Sequence, residues 1–144
     1  MSTRLELAGP GAAKRFRTLF LVAAWYDAIL GAAFFLLYGP IFRMLGAELP
    51  SNTSYIHLSA GFVFVQGVGY WLVARDMMRN TDLVKVGVIY KVIYSGVVFW
   101  YLAIGQLPHV TFAYFGVFDV LFIVGFVRFL VLARPAAPAL APQA

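Results

Sequence analysis

The chain has 144 residues, 62% of them hydrophobic and 12% charged, with a mean hydropathy of +0.85. That is too apolar for a soluble domain of this size and points to a membrane. The net charge of +5 does not indicate nucleic acid, because the basic residues cluster at the ends of apolar runs and leave no aromatic-interleaved basic patch. The absence of cysteine excludes disulfides, thiolate metal sites and thiol redox chemistry.

Residues 1–17 are polar, basic and broken by Gly9, Pro10 and Gly11, which predicts a disordered cytoplasmic segment at least as far as Ala13. The apolar run after Arg17 exceeds the roughly 7 to 15 residues of a signal-peptide core. It also contains Asp27, so it predicts a retained first span rather than a cleaved leader. A hydrocarbon core of roughly 30 Å takes about 20 helical residues per crossing. Four runs meet that length, at 18–38, 55–74, 84–105 and 109–132. None alternates polar and apolar residues as a barrel strand does, so the spans are helical.

Between the first two spans, YGPIFRMLGAELPSNTSY places Pro40 at the start and Gly46 at the end of a short interfacial turn, PIFRML, with Ile41, Phe42 and Leu45 in lipid. Asn52-Thr53-Ser54 matches a glycosylation sequon beside the membrane. The loops RDMMRNTDLVK and QLPH are short enough to force antiparallel neighbours. The fold class is therefore an all-α, up-down-up-down bundle of four transmembrane helices over residues 18–132, followed by an Ala/Pro-rich cytoplasmic tail, 133–144. Arg4, Lys14, Arg15 and Arg17 precede the first span, Arg75, Arg79 and Lys85 lie between the second and third, and Arg128 and Arg134 flank the end of the fourth. The other two loops hold only Arg43. This positive-inside pattern predicts a multi-pass membrane protein with both termini and the second loop in the cytoplasm.

Three charges fall inside the spans. At a rise of about 1.5 Å per residue, Asp27 and Asp119 lie near the bilayer midplane and Lys91 roughly 8 to 10 Å from the inner surface. Each lone charge at a helix centre costs about 2.5 to 3.5 kcal/mol on the insertion scale, so pairing is the economical arrangement. Two carboxylates against one ammonium leave a net negative charge, so one aspartate either keeps its proton or meets a second cation. Gly87, Lys91 and Ser95 share one helical stripe, and Ala23, Asp27 and Gly31 another. Small residues at these spacings mark buried seams. Ser59, Phe62, Gln66 and Tyr70 form a comparable line in the second span, and Tyr26, Tyr90 and Tyr94 are within hydrogen-bonding reach of the same level. The candidate intramembrane polar cluster is thus Asp27, Gln66, Lys91 and Asp119 with Tyr26 and Tyr94. It reads equally as a register-setting lock or as a ligand or proton site. His57 and His109, each at the outer start of a span, form a candidate haem or metal pair, although two histidines alone do not specify a metal site.

The order WYDAILG, GPIF, GVGYWLVARD, VGVIYK, GQLP and FDVLF, from Trp25 to Phe126, resembles a family of small bacterial four-helix integral membrane proteins of unknown function. Members of that family carry Tyr-Asn where this chain has Tyr26-Asp27, and Asn-Asp followed by tryptophans where it has Phe118-Asp119-Val120. A looser architectural similarity links the chain to DoxX-like membrane proteins. The resemblance implies the fold, the placement of Lys91 and Asp119 and a multi-pass protein of the bacterial cytoplasmic (inner) membrane, and implies no reaction.

The pattern lacks a nucleophile-base motif and a metal-ligand set, so no catalytic residue, no metal and no cofactor is predicted. The leading expectation is a non-catalytic accessory subunit or small-ligand binder. A small proton-coupled transporter and a haem or redox carrier using His57 and His109 are the alternatives. Expected partners are membrane lipids and a larger membrane complex or further copies of the chain, with no nucleic acid.

Overall fold

In hydrocarbon a backbone N–H or C=O has no water to pair with, so a spanning segment satisfies its polar groups within its own helix. The computed structural model describes Leu5 and residues 9–134. It contains helices α1 (Pro10–Leu45), α2 (Ser54–Arg75), α3 (Thr81–Ala103) and α4 (Thr111–Leu132), with no strand among the described residues. All four are long and apolar enough to cross a membrane. Residues 1–4, 6–8 and 135–144, which hold part of the expected basic segment and most of the expected tail, lie outside the described residues.

Helix α1 departs from expectation at both ends. It begins at Pro10 rather than Thr18, so residues 10–17 are helical rather than disordered. Gly9, with φ 86°, turns the chain, and proline at the first helical position has its φ preset and no N–H to leave unpaired. Phe16 then docks on Phe129 of α4, ring centroids 5.5 Å apart, which holds this extension against the bundle. At the other end Pro40 cannot supply an N–H to the Leu36 carbonyl, and the helix breaks at Leu37 (φ −124°, ψ 21°). A short terminal piece follows, ending at Gly46 in the left-handed region (φ 65°), whose N–H reaches the Arg43 carbonyl. The expected turn is therefore present as a kinked continuation of α1. Its Phe42 does not face lipid as expected: it is buried against Phe34 and Phe112, at 6.4 and 6.3 Å, because the kink folds the terminal piece over the bundle end.

Two helix pairs make up the bundle. Helices α1 and α2 meet backbone to backbone: a Cβ on Gly31 would lie 2.5 Å from Phe64 N, and one on Gly67 2.6 Å from Ala28 N. Helices α3 and α4 meet at Gly116, whose carbonyl accepts a hydrogen bond from Ser95 Oγ at 3.3 Å, and a Cβ there would touch Val98 at 3.2 Å. Since lipid supplies no hydrophobic drive between helices, such close approach and its dispersion contacts do the work of association. The pairs join at one end, here called basal, through Phe20, Tyr70, Val73, Val84, Phe126 and Phe129. Phe20 lies 5.0 Å from both Phe126 and Phe129. Large apolar side chains such as Trp25, Ile29, Ile93, Trp100 and Leu121 face outward, whereas Asp27, Lys91 and Asp119 are the buried charged groups among the described residues.

The seam sets an expectation for paired glycine substitutions. Gly67→Ala must separate two backbones and should cost about 1 to 3 kcal/mol or more. Gly61→Ala faces open space and should be neutral or gain up to about 1 kcal/mol from helix propensity. Detergent-titration unfolding of the two variants beside the parent checks this, and equal effects would contradict the seam.

Candidate functional site

The three buried charges come from three helices. Asp27 sits on α1 between the buried Ala23 and Gly31, and Lys91 on α3 between the buried Gly87 and Ser95. Asp119 follows Ala113 and Gly116 on the buried face of α4. In each helix the neighbours on the seam are small, so backbones approach and the charged side chains turn inward. Lys91 Nζ lies 2.6 Å from Asp119 Oδ1 and 3.2 and 3.1 Å from Asp27 Oδ1 and Oδ2. The ammonium has three donors, and these three oxygens match them. Lys91 is 0% exposed, Asp27 2% and Asp119 5%, so no bulk water competes for these bonds.

Aromatic rings enclose the ammonium. The centroids of Phe122, Tyr70 and Tyr26 stand 5.1, 5.4 and 5.8 Å from Nζ, within range of a cation–π attraction. The Tyr26 and Tyr70 hydroxyls are buried without a hydrogen-bond partner. Tyr26 therefore joins the site as an aromatic wall, packed on Phe118 and Phe122 at 5.9 and 5.5 Å, rather than as the hydrogen-bonding group the sequence suggested. Gln66 is only partly buried, and no hydrogen bond among the described residues connects it to the triad. One turn further on, Tyr70 takes the position expected for it. Gly87 makes room: a Cβ there would come 2.5 Å from Tyr70 Cε1. Phe122 carries no signal in the sequence that separates it from the other phenylalanines of its helix.

Away from the basal end the two helix pairs diverge around a cavity of about 490 Å³. Phe34, Val63, Val97, Phe112 and Phe115 contribute apolar walls, and Tyr55, Ser59, Tyr101 and Gln106 polar groups. Gly31 and Tyr94 also line it, and they lie one helical turn beyond Asp27 and Lys91 respectively. Tyr94 thus belongs to the boundary between triad and cavity.

The histidines each engage their own helix start. His57 Nδ1 faces the Thr53 carbonyl at 3.1 Å, and its ring packs edge-on to Phe35 and Tyr38 at 5.1 and 4.8 Å. His109 Nδ1 accepts the Thr111 backbone N–H at 3.2 Å. The same His109 nitrogen lies 2.9 Å from the Thr111 hydroxyl, so in both rings Nδ1 is engaged locally. Among the described residues no group of three or more His, Asp or Glu side chains gathers to hold a metal.

Removing one partner from a buried ion cluster leaves an uncompensated charge and costs about 3 to 5 kcal/mol. Lys91→Met should therefore destabilise the bundle by that amount, and adding Asp27→Asn and Asp119→Asn should recover most of the loss. Unfolding free energies of the single and triple variants in one detergent check this; a triple variant as unstable as Lys91→Met would mean that the ammonium acts through packing alone.

No protein-family model matches the chain, and no curated protein or solved structure matches it.

Proposed function

We propose that this chain is a non-catalytic protein of the bacterial cytoplasmic membrane that binds a small, mainly apolar, membrane-soluble ligand between its two helix pairs. The observation that carries this reading is the cavity of about 490 Å³ beside the triad. Its size falls within the roughly 300 to 1,000 Å³ of small-molecule sites, and its composition, apolar and aromatic walls with a few polar groups, is that of such sites. The distribution of Lys and Arg supports an up-down-up-down arrangement with both termini cytoplasmic, which turns the cavity toward the outer half of the bilayer. A ligand seated there bears on both helix pairs at once. That suits an accessory subunit whose partner, a larger complex or a second copy, senses whether the site is filled.

A second reading, a small proton-coupled transporter, draws on a separate observation. Two carboxylates share one ammonium a single helical turn from the cavity wall, so ligand occupancy and the protonation of the cluster would be neighbours in space.

Gentle purification from native membranes followed by native mass spectrometry should reveal a bound apolar species in the parent chain. Val63→Phe, which places a ring in the cavity, should abolish it with helicity unchanged; a ligand retained by that variant would overturn the site. In liposomes, proton-coupled flux that survives Asp27→Asn would remove the transporter reading, whereas its loss in a folded variant supports it.

A further inference from the structure

A second cavity, of about 570 Å³, lies at the basal end between α1 and α4, remote from the ligand site proposed above. Its position follows from one close contact. A Cβ on Gly125 would come 2.6 Å from Leu19 Cδ2, so α1 and α4 touch at that level. Arg15 lies one turn before Leu19, and Arg128 lies three residues beyond Gly125. Phe20 packs on Phe126 and Phe34 on Phe115, so residue numbers rise along one helix as they fall along the other. Both arginines therefore leave the contact in the same direction and line the same cavity, whose remaining wall includes Phe16, Leu19 and Leu132.

Two basic residues outside the triad have side-chain partners. Lys85 Nζ pairs with Asp82 at 2.6 Å, and the Arg75 guanidinium stacks on Trp71 at 4.9 Å. Among the described residues neither Arg15 nor Arg128 pairs with a carboxylate. Two like charges around one space repel each other unless an anion sits between them. A guanidinium matches a phosphate through paired N–H donors, and the apolar wall suits a hydrocarbon chain.

We propose that this cavity is a binding site for an anionic phospholipid, with its phosphate between Arg15 and Arg128 and an acyl chain along Phe16, Leu19 and Leu132. The lipid bridges the first and last helices at the membrane surface. It does so where α1 extends beyond the span, on a piece of helix otherwise held by Phe16 against Phe129.

The test titrates phosphatidylglycerol, phosphatidylcholine and inorganic phosphate into the full-length protein in a neutral detergent, read by native mass spectrometry. Phosphatidylglycerol should form a one-to-one adduct at least tenfold tighter than phosphatidylcholine. Arg15→Gln and Arg128→Gln should each weaken it by at least tenfold, and the double variant should lose little more, because the two guanidiniums hold one phosphate. Arg79→Gln, on the α2–α3 loop outside the cavity, should change it by no more than about fivefold, the effect of one basic residue on a nearby anionic surface. Arg15 and Arg128 are exposed, so the variants should melt with the parent, and a matched melt is the folding control. Equal and additive losses across the three single variants would overturn the site in favour of general surface charge. Displacement of the lipid by inorganic phosphate at matched concentration would overturn the lipid assignment and leave a site for phosphate alone.

Discussion

Lys91 Nζ, surrounded by oxygens of Asp27 and Asp119, ties α1, α3 and α4 together at one point in a dry interior. Each of these charges alone at a helix centre would cost about 2.5 to 3.5 kcal/mol, and every sliding or rotation of one helix that parts the ions reinstates such a cost. Apolar helices in lipid have little else to choose one register over another, since the hydrocarbon outside is as apolar as the neighbouring helix. The short Lys91–Asp119 bond lies within the α3–α4 pair, and the longer bonds to Asp27 reach across to α1. The triad therefore links one helix pair to the other through ions whose separation is costly.

Packing on either side of the triad is unequal, and the inequality makes the cavity. Toward the basal end Phe20, Tyr70, Phe126 and Phe129 pack between the pairs, each almost without exposed surface. Toward the other end Gly31 and Gly67 draw α2 onto α1, and Gly116 admits Val98 and Phe99, so each pair closes on itself. What is left between the pairs is bounded by rings and valines, with Phe34 of α1 packed on Phe112 and Phe115 of α4 along one side. The kinked end of α1 brings Phe42 over Phe112 and partly roofs the space. A cavity beside a buried ion cluster is thus a consequence of where the small residues fall in the four helices.

Much of this was legible in the sequence, and particular residues show why the rest was not. Asp27, Lys91 and Asp119 announced themselves because an ion in a run of hydrocarbon needs a counterion, and the small residues one turn away gave their direction. Gln66 had a similar depth and a similar stripe. A neutral amide carries a much smaller burial penalty, however, so nothing compels it to the cluster, and Tyr70 stands at Lys91 with its hydroxyl unpartnered. Phe42 reads as lipid-facing on any local rule, since its burial depends on a kink that only the fold orients. The start of α1 escapes a local reading because Gly9, Pro10 and Gly11 resemble a breaker. Here the proline opens a helix, whose first turns then gain a partner in Phe129.

The sequence by itself determined the class of molecule, the number of helices and the identity of the buried charges, because these follow from hydrocarbon thickness and the cost of an isolated ion. Tertiary structure alone decided which oxygens the ammonium takes, which rings enclose it, and where the helices part to leave a cavity. It also brought Arg15 and Arg128, far apart in the chain, to one space at the basal end. Those outcomes depend on the distances between backbones, and these are set by how small and large side chains of different helices happen to face one another.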